Sequence, residues 1–151
     1  MTREDALYFK LLLQAGFWDS YEEWLNRYLI TQEPLSDLTM ELSYCVSDAE
    51  KTISLLHAYC GDLPVDKDAV CEKLRLFLKD AFGTNRLTAE ETTTLLYRFS
   101  LGIDTPVNSD SALWWTMYLL DDARISMEPS TFRERFTAYL EHGIPFELSK
   151  K

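Results

Sequence analysis

Glycine and proline are scarce in this chain, with five of each in 151 residues. The glycines sit singly, mostly where helical patterns stop, so no glycine-rich loop can cradle a phosphate or a dinucleotide. A Gly-x-Ser-x-Gly elbow is absent, and so is any other nucleophile motif. Histidine occurs twice, at His57 and His142. Clustered basic residues are also lacking: 15 Lys and Arg are scattered among 25 Asp and Glu, for a formal net charge of −10. Phosphate neutralisation needs basic clusters, so nucleic acid is not an expected partner, and an anionic membrane surface is disfavoured for the same reason. The longest apolar run, residues 112–120, is far below the roughly 20 residues a membrane-spanning helix requires. Valine, isoleucine and alternating patterns are too sparse to predict a sheet.

Three cysteines, Cys45, Cys60 and Cys71, form no framework spacing. An odd number of them reads as buried free thiols in a reducing compartment. The opening Met-Thr-Arg-Glu-Asp carries acids and leads into no signal-peptide h-region, so the expected location is cytoplasmic. What is abundant is apolar and aromatic side chain, 46% and 13% of the chain, enough for a packed core and too much for disorder. A single all-α domain over residues 1–151 is the expectation.

Helix signals recur from end to end. Thr2 caps a first helix that stops at Gly16. Ser20 with Glu23 forms a capping-box pattern opening a helix with Tyr21, Trp24, Leu25, Tyr28 and Leu29 on one face, and Pro34 ends that segment. Ser36 starts a short helix with Leu38, Leu42 and Cys45 inside. Ser47 with Glu50 is a second box, before Ala49, Ile53, Leu56 and Cys60, ended by Gly61. Asp66 caps a helix burying Val70, Leu74, Phe77, Leu78 and Ala81, with Asp68, Glu72, Arg75 and Lys79 towards solvent and Gly83 as its stop. Thr88 with Glu91 is a third box, before Leu95, Leu96, Phe99 and Gly102. A long loop over 102–111 follows, either a connection or a binding loop. A last helix starts near Ser130, buries Phe132, Phe136, Tyr139 and Leu140, and ends at Gly143. Ile144, Phe146 and Leu148 dock back on the body. The pattern predicts an irregular bundle of about eight short helices, arranged as helical hairpins around a buried central helix near 111–124. That helix holds Ala112 to Leu120, where only Thr116 breaks the apolar run, and its tryptophans and tyrosine need packing and polar partners.

Candidate chemistry is thin. His57 and Cys60 stand three apart, but on different lines of their helix, so surface histidine and packed cysteines outweigh a zinc site. Asp121 and Asp122 are adjacent and diverge on a helix, which favours an ion pair with Arg124 over acid–base work. His142 falls in a last helical turn, where the dipole favours a cation. No cofactor and no metal is implied, and an enzyme is not the expectation.

The first third is the suggestive region. Residues 1–50 hold ten acids against Arg3, Lys10 and Arg27. Phe17, Trp18, Asp19, Glu22, Glu23, Glu33, Asp37 and Glu41 form a candidate protein interface, since aromatics make binding hot spots and acids steer basic partners. Solubility alone is the plainer account of the charge, and the Tyr21, Trp24 and Tyr28 stripe reads as core. The expected function is non-enzymatic protein binding, with a basic protein as partner. An inhibitor or immunity-type protein that neutralises a basic nuclease or toxin is one form, an analogy of charge, size and helicity only. A first alternative is a small-molecule or catalytic pocket lined by Trp114, Trp115, Tyr118, Asp121 and Asp122. A second is a scaffold or homo-oligomer subunit joined around Trp18.

Overall fold

The computed structural model describes residues 1–31, 36–61, 64–103 and 111–146. Among them the chain forms eight helices and no strand: α1 (Arg3–Gln14), α2 (Asp19–Thr31), α3 (Asp37–Tyr44), α4 (Ala49–Cys60), α5 (Lys67–Gly83), α6 (Ala89–Gly102), α7 (Ala112–Ser126) and α8 (Pro129–His142). The all-α architecture read from the sequence is therefore the observed one. No helix among the described residues is long and apolar enough to cross a membrane. Contacts divide the chain into two compact units, Met1–Val65 with α1 to α4 and Asp66–Lys151 with α5 to α8.

In the first unit α1 is the organising helix. Thr2 and Asp5 close a capping box, the Thr2 hydroxyl accepting the Asp5 N–H at 3.0 Å. The helix buries Ala6, Leu7, Phe9, Leu11, Leu12 and Leu13, more than one stripe, because it packs on both α4 and α2. Two starts differ from the sequence pattern. α2 begins at Asp19, with the Glu22 N–H donating to the Trp18 carbonyl at 2.9 Å, so Ser20 lies inside the helix. α4 is capped by Asp48, which accepts the Lys51 N–H, and not by Ser47. Serine and aspartate cap about equally well, so packing decides between neighbours. Starting at Ala49 sets Thr52, Leu56 and Cys60 in one buried line, four residues apart, while Ala49 itself is exposed.

In the second unit α7 is central, touching α5, α6 and α8. Thr116, Met117, Leu120 and Ala123 are buried, whereas Trp114, Trp115, Tyr118 and Leu119 are only half-buried. The run is thus enclosed on one side and open on the other. Trp114 donates its indole N–H to the Ser100 carbonyl at 2.9 Å, satisfying an acceptor in the last turn of α6. Thr116, the one polar residue in the run, has a purpose in the fold: its hydroxyl donates to the Ala112 carbonyl and accepts the Phe146 N–H at 2.7 Å. That bond, with Arg135 lying 5.3 Å from the Phe146 ring centroid, docks the segment after α8. Ile144 in the same segment is exposed, and Leu148 lies outside the described residues, as do Pro34 and most of the 102–111 loop.

Arg75 overturns its expected place in solvent. It is 7% exposed. Its guanidinium holds both carboxylate oxygens of Glu72 and donates to the Leu140 carbonyl at 2.7 Å. Lys79, one turn on, donates to the Glu141 carbonyl at 3.2 Å. Together they bring two cations to the C-terminal carbonyls of α8, where the dipole favours positive charge. Gly143 ends α8 with φ +69°, and a Cβ there would stand 3.3 Å from Arg75 Nε, so a side chain is opposed by both backbone and space. α5 runs through Gly83, the expected stop, and the left-handed residue is Asn85 at φ 61°. α8 starts at Pro129, whose missing N–H costs nothing at a helix start, rather than at Ser130.

Candidate protein-binding surface and cavity

The acidic region falls within the first unit. Residues 1–65 hold eleven acidic and four basic side chains, −7 of the total −10. Asp19, Glu22 and Glu23 are exposed on α2, and Asp37 and Glu41 are exposed on α3. Glu23 pairs with Arg27 at 3.2 Å, with both side chains in water, an interaction that restrains little. Phe17 and Trp18 are half-buried in the turn between α1 and α2. The Phe17 N–H donates to the Leu12 carbonyl, and Trp18 sits edge-on to Tyr21, so both extend the core margin. Glu33 lies outside the described residues.

Beside the α3 acids lies apolar surface that the sequence stripe did not single out. Asp37, Met40, Glu41 and Tyr44 follow the spacing i, i+3, i+4, i+7, one continuous helical face. This face of α3 is turned to solvent, with Met40 39% and Tyr44 79% exposed, while Thr39 and Leu42 face the interior. Ile30, near the end of α2, is 84% exposed. The spacing of residues 37, 40, 41 and 44 was the available signal; the stripe of Leu38, Leu42 and Cys45 left Met40 and Tyr44 unplaced.

An aromatic array joins α1 to α2. Phe9, Tyr21, Trp24 and Tyr28 form successive ring contacts between α1 and α2, the closest being Trp24 with Tyr28 at 4.4 Å. Tyr21 is fully buried, and its hydroxyl has no hydrogen-bond partner among the described residues. Burial, aided by Cys45 nearby, pushes its ionisation well above the ordinary tyrosine range. Tyr8 is pushed up to about 12, mainly by burial and secondarily by Asp5.

The second unit carries a cavity of about 450 Å³ between α6 and α7, lined by Tyr97, Tyr118, Leu119, Asp121, Asp122 and Ile125. Of the five residues the sequence grouped as a pocket, Tyr118, Asp121 and Asp122 line it. Trp114 and Trp115 do not: Trp114 stacks on Tyr118 at 5.2 Å, and Trp115 meets the same ring edge-on. The ion pair joins Arg124 to Asp121, at 3.3 Å, and not to Asp122. Asp121 Oδ1 also accepts from the Thr93 hydroxyl at 3.0 Å and the Thr94 hydroxyl at 3.5 Å. The neighbouring Asp122 is exposed.

The remaining candidates do not assemble. His57 is exposed, and its Nδ1 lies 2.9 Å from Lys10 Nζ, on the polar side of α4. Cys60 is buried near the Arg3 carbonyl, and Cys45 is buried beside Thr52. Burial raises the Cys60 thiol and pushes that of Cys71 up to about 12, the opposite of what a nucleophilic cysteine needs. His142 is exposed at the end of α8. No group of three His, Cys, Asp or Glu among the described residues could hold a metal ion.

Compared with known proteins, the chain matches no family model, no curated protein and no solved structure.

Proposed function

We propose that this protein binds another protein, of basic surface, through the exposed faces of α2 and α3. The observation that carries the reading is the face of α3 formed by Asp37, Met40, Glu41 and Tyr44. Two carboxylates alternate with two large apolar side chains that the fold leaves in water. Apolar side chains provide the buried contact of an interface, and the carboxylates around them set partner charge and speed encounter. The charge of −7 over residues 1–65 extends the same preference over distance. A neutralising protein that masks a basic nuclease or toxin is one form such a binder takes, and charge is what supports it.

The test is a capture experiment with the purified protein at low and high salt. The recovered protein is then titrated against the wild type and against a variant reversing Glu22, Glu23, Asp37 and Glu41 to lysine. The expected result is a basic partner whose binding weakens with salt. In the variant, affinity falls by about a hundredfold or more, roughly 3 kcal/mol, with the helical circular dichroism unchanged. Tyr44→Ala weakens binding without altering its salt dependence. A folded reversed variant that binds as tightly as the wild type overturns the reading.

A second reading, a small-molecule site beside α7, is favoured by the cavity at Tyr118, Asp121 and Asp122. Its volume of about 450 Å³ falls within the range of ligand sites.

A further inference from the structure

We infer that the cavity between α6 and α7 is a binding site for an organic cation: an ammonium head with a short apolar body. This inference rests on the small-molecule reading of that cavity and names its ligand class. Three features of the site point the same way.

The first is a fixed carboxylate with one oxygen committed and one open. Asp121 Oδ1 accepts from Thr93, Thr94 and Arg124, while Arg124 Nε also donates to the Thr93 hydroxyl at 3.3 Å. Those bonds converge on a single oxygen and set the plane of the carboxylate. Oδ2 accepts from no described residue, and Asp121 is one of the residues lining the cavity. A carboxylate already oriented loses little freedom when a donor arrives. Arg124 neutralises one negative charge at the site, and Asp122, on the same cavity wall, adds a second. The site therefore keeps a net charge of −1, which an ammonium cancels and a carboxylate or phosphate would compound.

The second is a pair of tyrosines. The rings of Tyr97 and Tyr118 lie 5.4 Å apart at 41°, and both line the cavity. Trp114, stacked on Tyr118 at 13°, keeps that ring from turning. The electron-rich rings attract a cation, and the attraction strengthens as water is displaced. The third is the rim. Leu119 and Ile125 line the same space, and Ile125 is 73% exposed. A bare metal ion has no use for such a rim, whereas the alkyl part of an amine covers it.

The probe is n-butylammonium, with n-butanol as the neutral control of similar shape, titrated into the whole protein and followed by side-chain NMR. Saturable shifts at Tyr97, Tyr118 and Ile125 are expected with the ammonium. The alcohol should bind at least about tenfold more weakly. Asp121→Asn and, separately, Asp122→Asn should each weaken the ammonium. The exposed Asp122 variant keeps the test informative if Asp121→Asn disturbs the fold. Equal binding of alcohol and ammonium at these residues would retain a pocket and overturn the cation inference. Absence of saturable shifts at the three residues would overturn both.

Discussion

Single side chains in this protein are placed by what their polar atoms can reach. Thr116 fits the apolar run because its hydroxyl serves two backbone groups. Tyr21 and Tyr139 are the contrary case: both hydroxyls are buried with no partner among the described residues. A buried hydroxyl without a partner keeps the cost of leaving water and gains nothing in return. Tyr21→Phe and Tyr139→Phe should therefore leave stability unchanged or raise it by about 1 kcal/mol, as read by urea denaturation. A loss of more than about 1 kcal/mol in either variant would mean that its hydroxyl is satisfied in solution. The sequence showed that both rings would be inside. Whether a donor or acceptor would meet each hydroxyl depended on helices far away in the chain.

Helices are started by local chemistry and finished by their neighbours. The Thr2, Ser36, Asp66 and Thr88 starts were legible because a side chain three residues from its backbone partner needs no tertiary contact. The end of α8 is different. Arg75 and Lys79 of α5 supply its terminal carbonyls, and Gly143 leaves room for the guanidinium. Arg75→Met should cost about 1–3 kcal/mol, since it leaves the Leu140 carbonyl without its donor. Acid reports on the same contact. The bonds from Arg75 hold Glu72 below the usual carboxylate range. A lowered folded value stabilises above the unfolded value, about 4.3, and that contribution disappears as pH falls through the folded value. Melting curves of wild type and Glu72→Gln should thus differ most near neutrality and start to converge only as pH falls below the unfolded value of about 4.3. A gap that stays constant down to pH 2 would count against the pairing. Arg75 was in fact marked in the sequence: it stands one residue after Leu74 and four after Cys71, inside the buried band of α5. Its charge, not its position, put it on the wrong face.

Over the whole molecule, charge is the dominant feature. At −10, with most of the excess before residue 66, like charges repel across the folded surface. Raising ionic strength from about 0.01 to 0.15 M shortens the Debye length from about 30 to 8 Å, and should raise Tm. A Tm that falls over that range would mean that attractive pairs, such as Arg86 with Asp80 at 2.6 Å, outweigh the repulsion. The sequence by itself determined helix class and number, most of the starts, and the acidic bias of the first third. Each of these follows from spacing within about four residues or from composition, and neither needs a partner element. Only tertiary structure decided which apolar residues stay in water and which charge goes inside. Met40 and Tyr44 are left outside because α3 turns Thr39 and Leu42 inward. Arg75 is buried because α8 ends where its guanidinium can reach. Both outcomes depend on the face a neighbouring helix happens to cover, which no local pattern encodes.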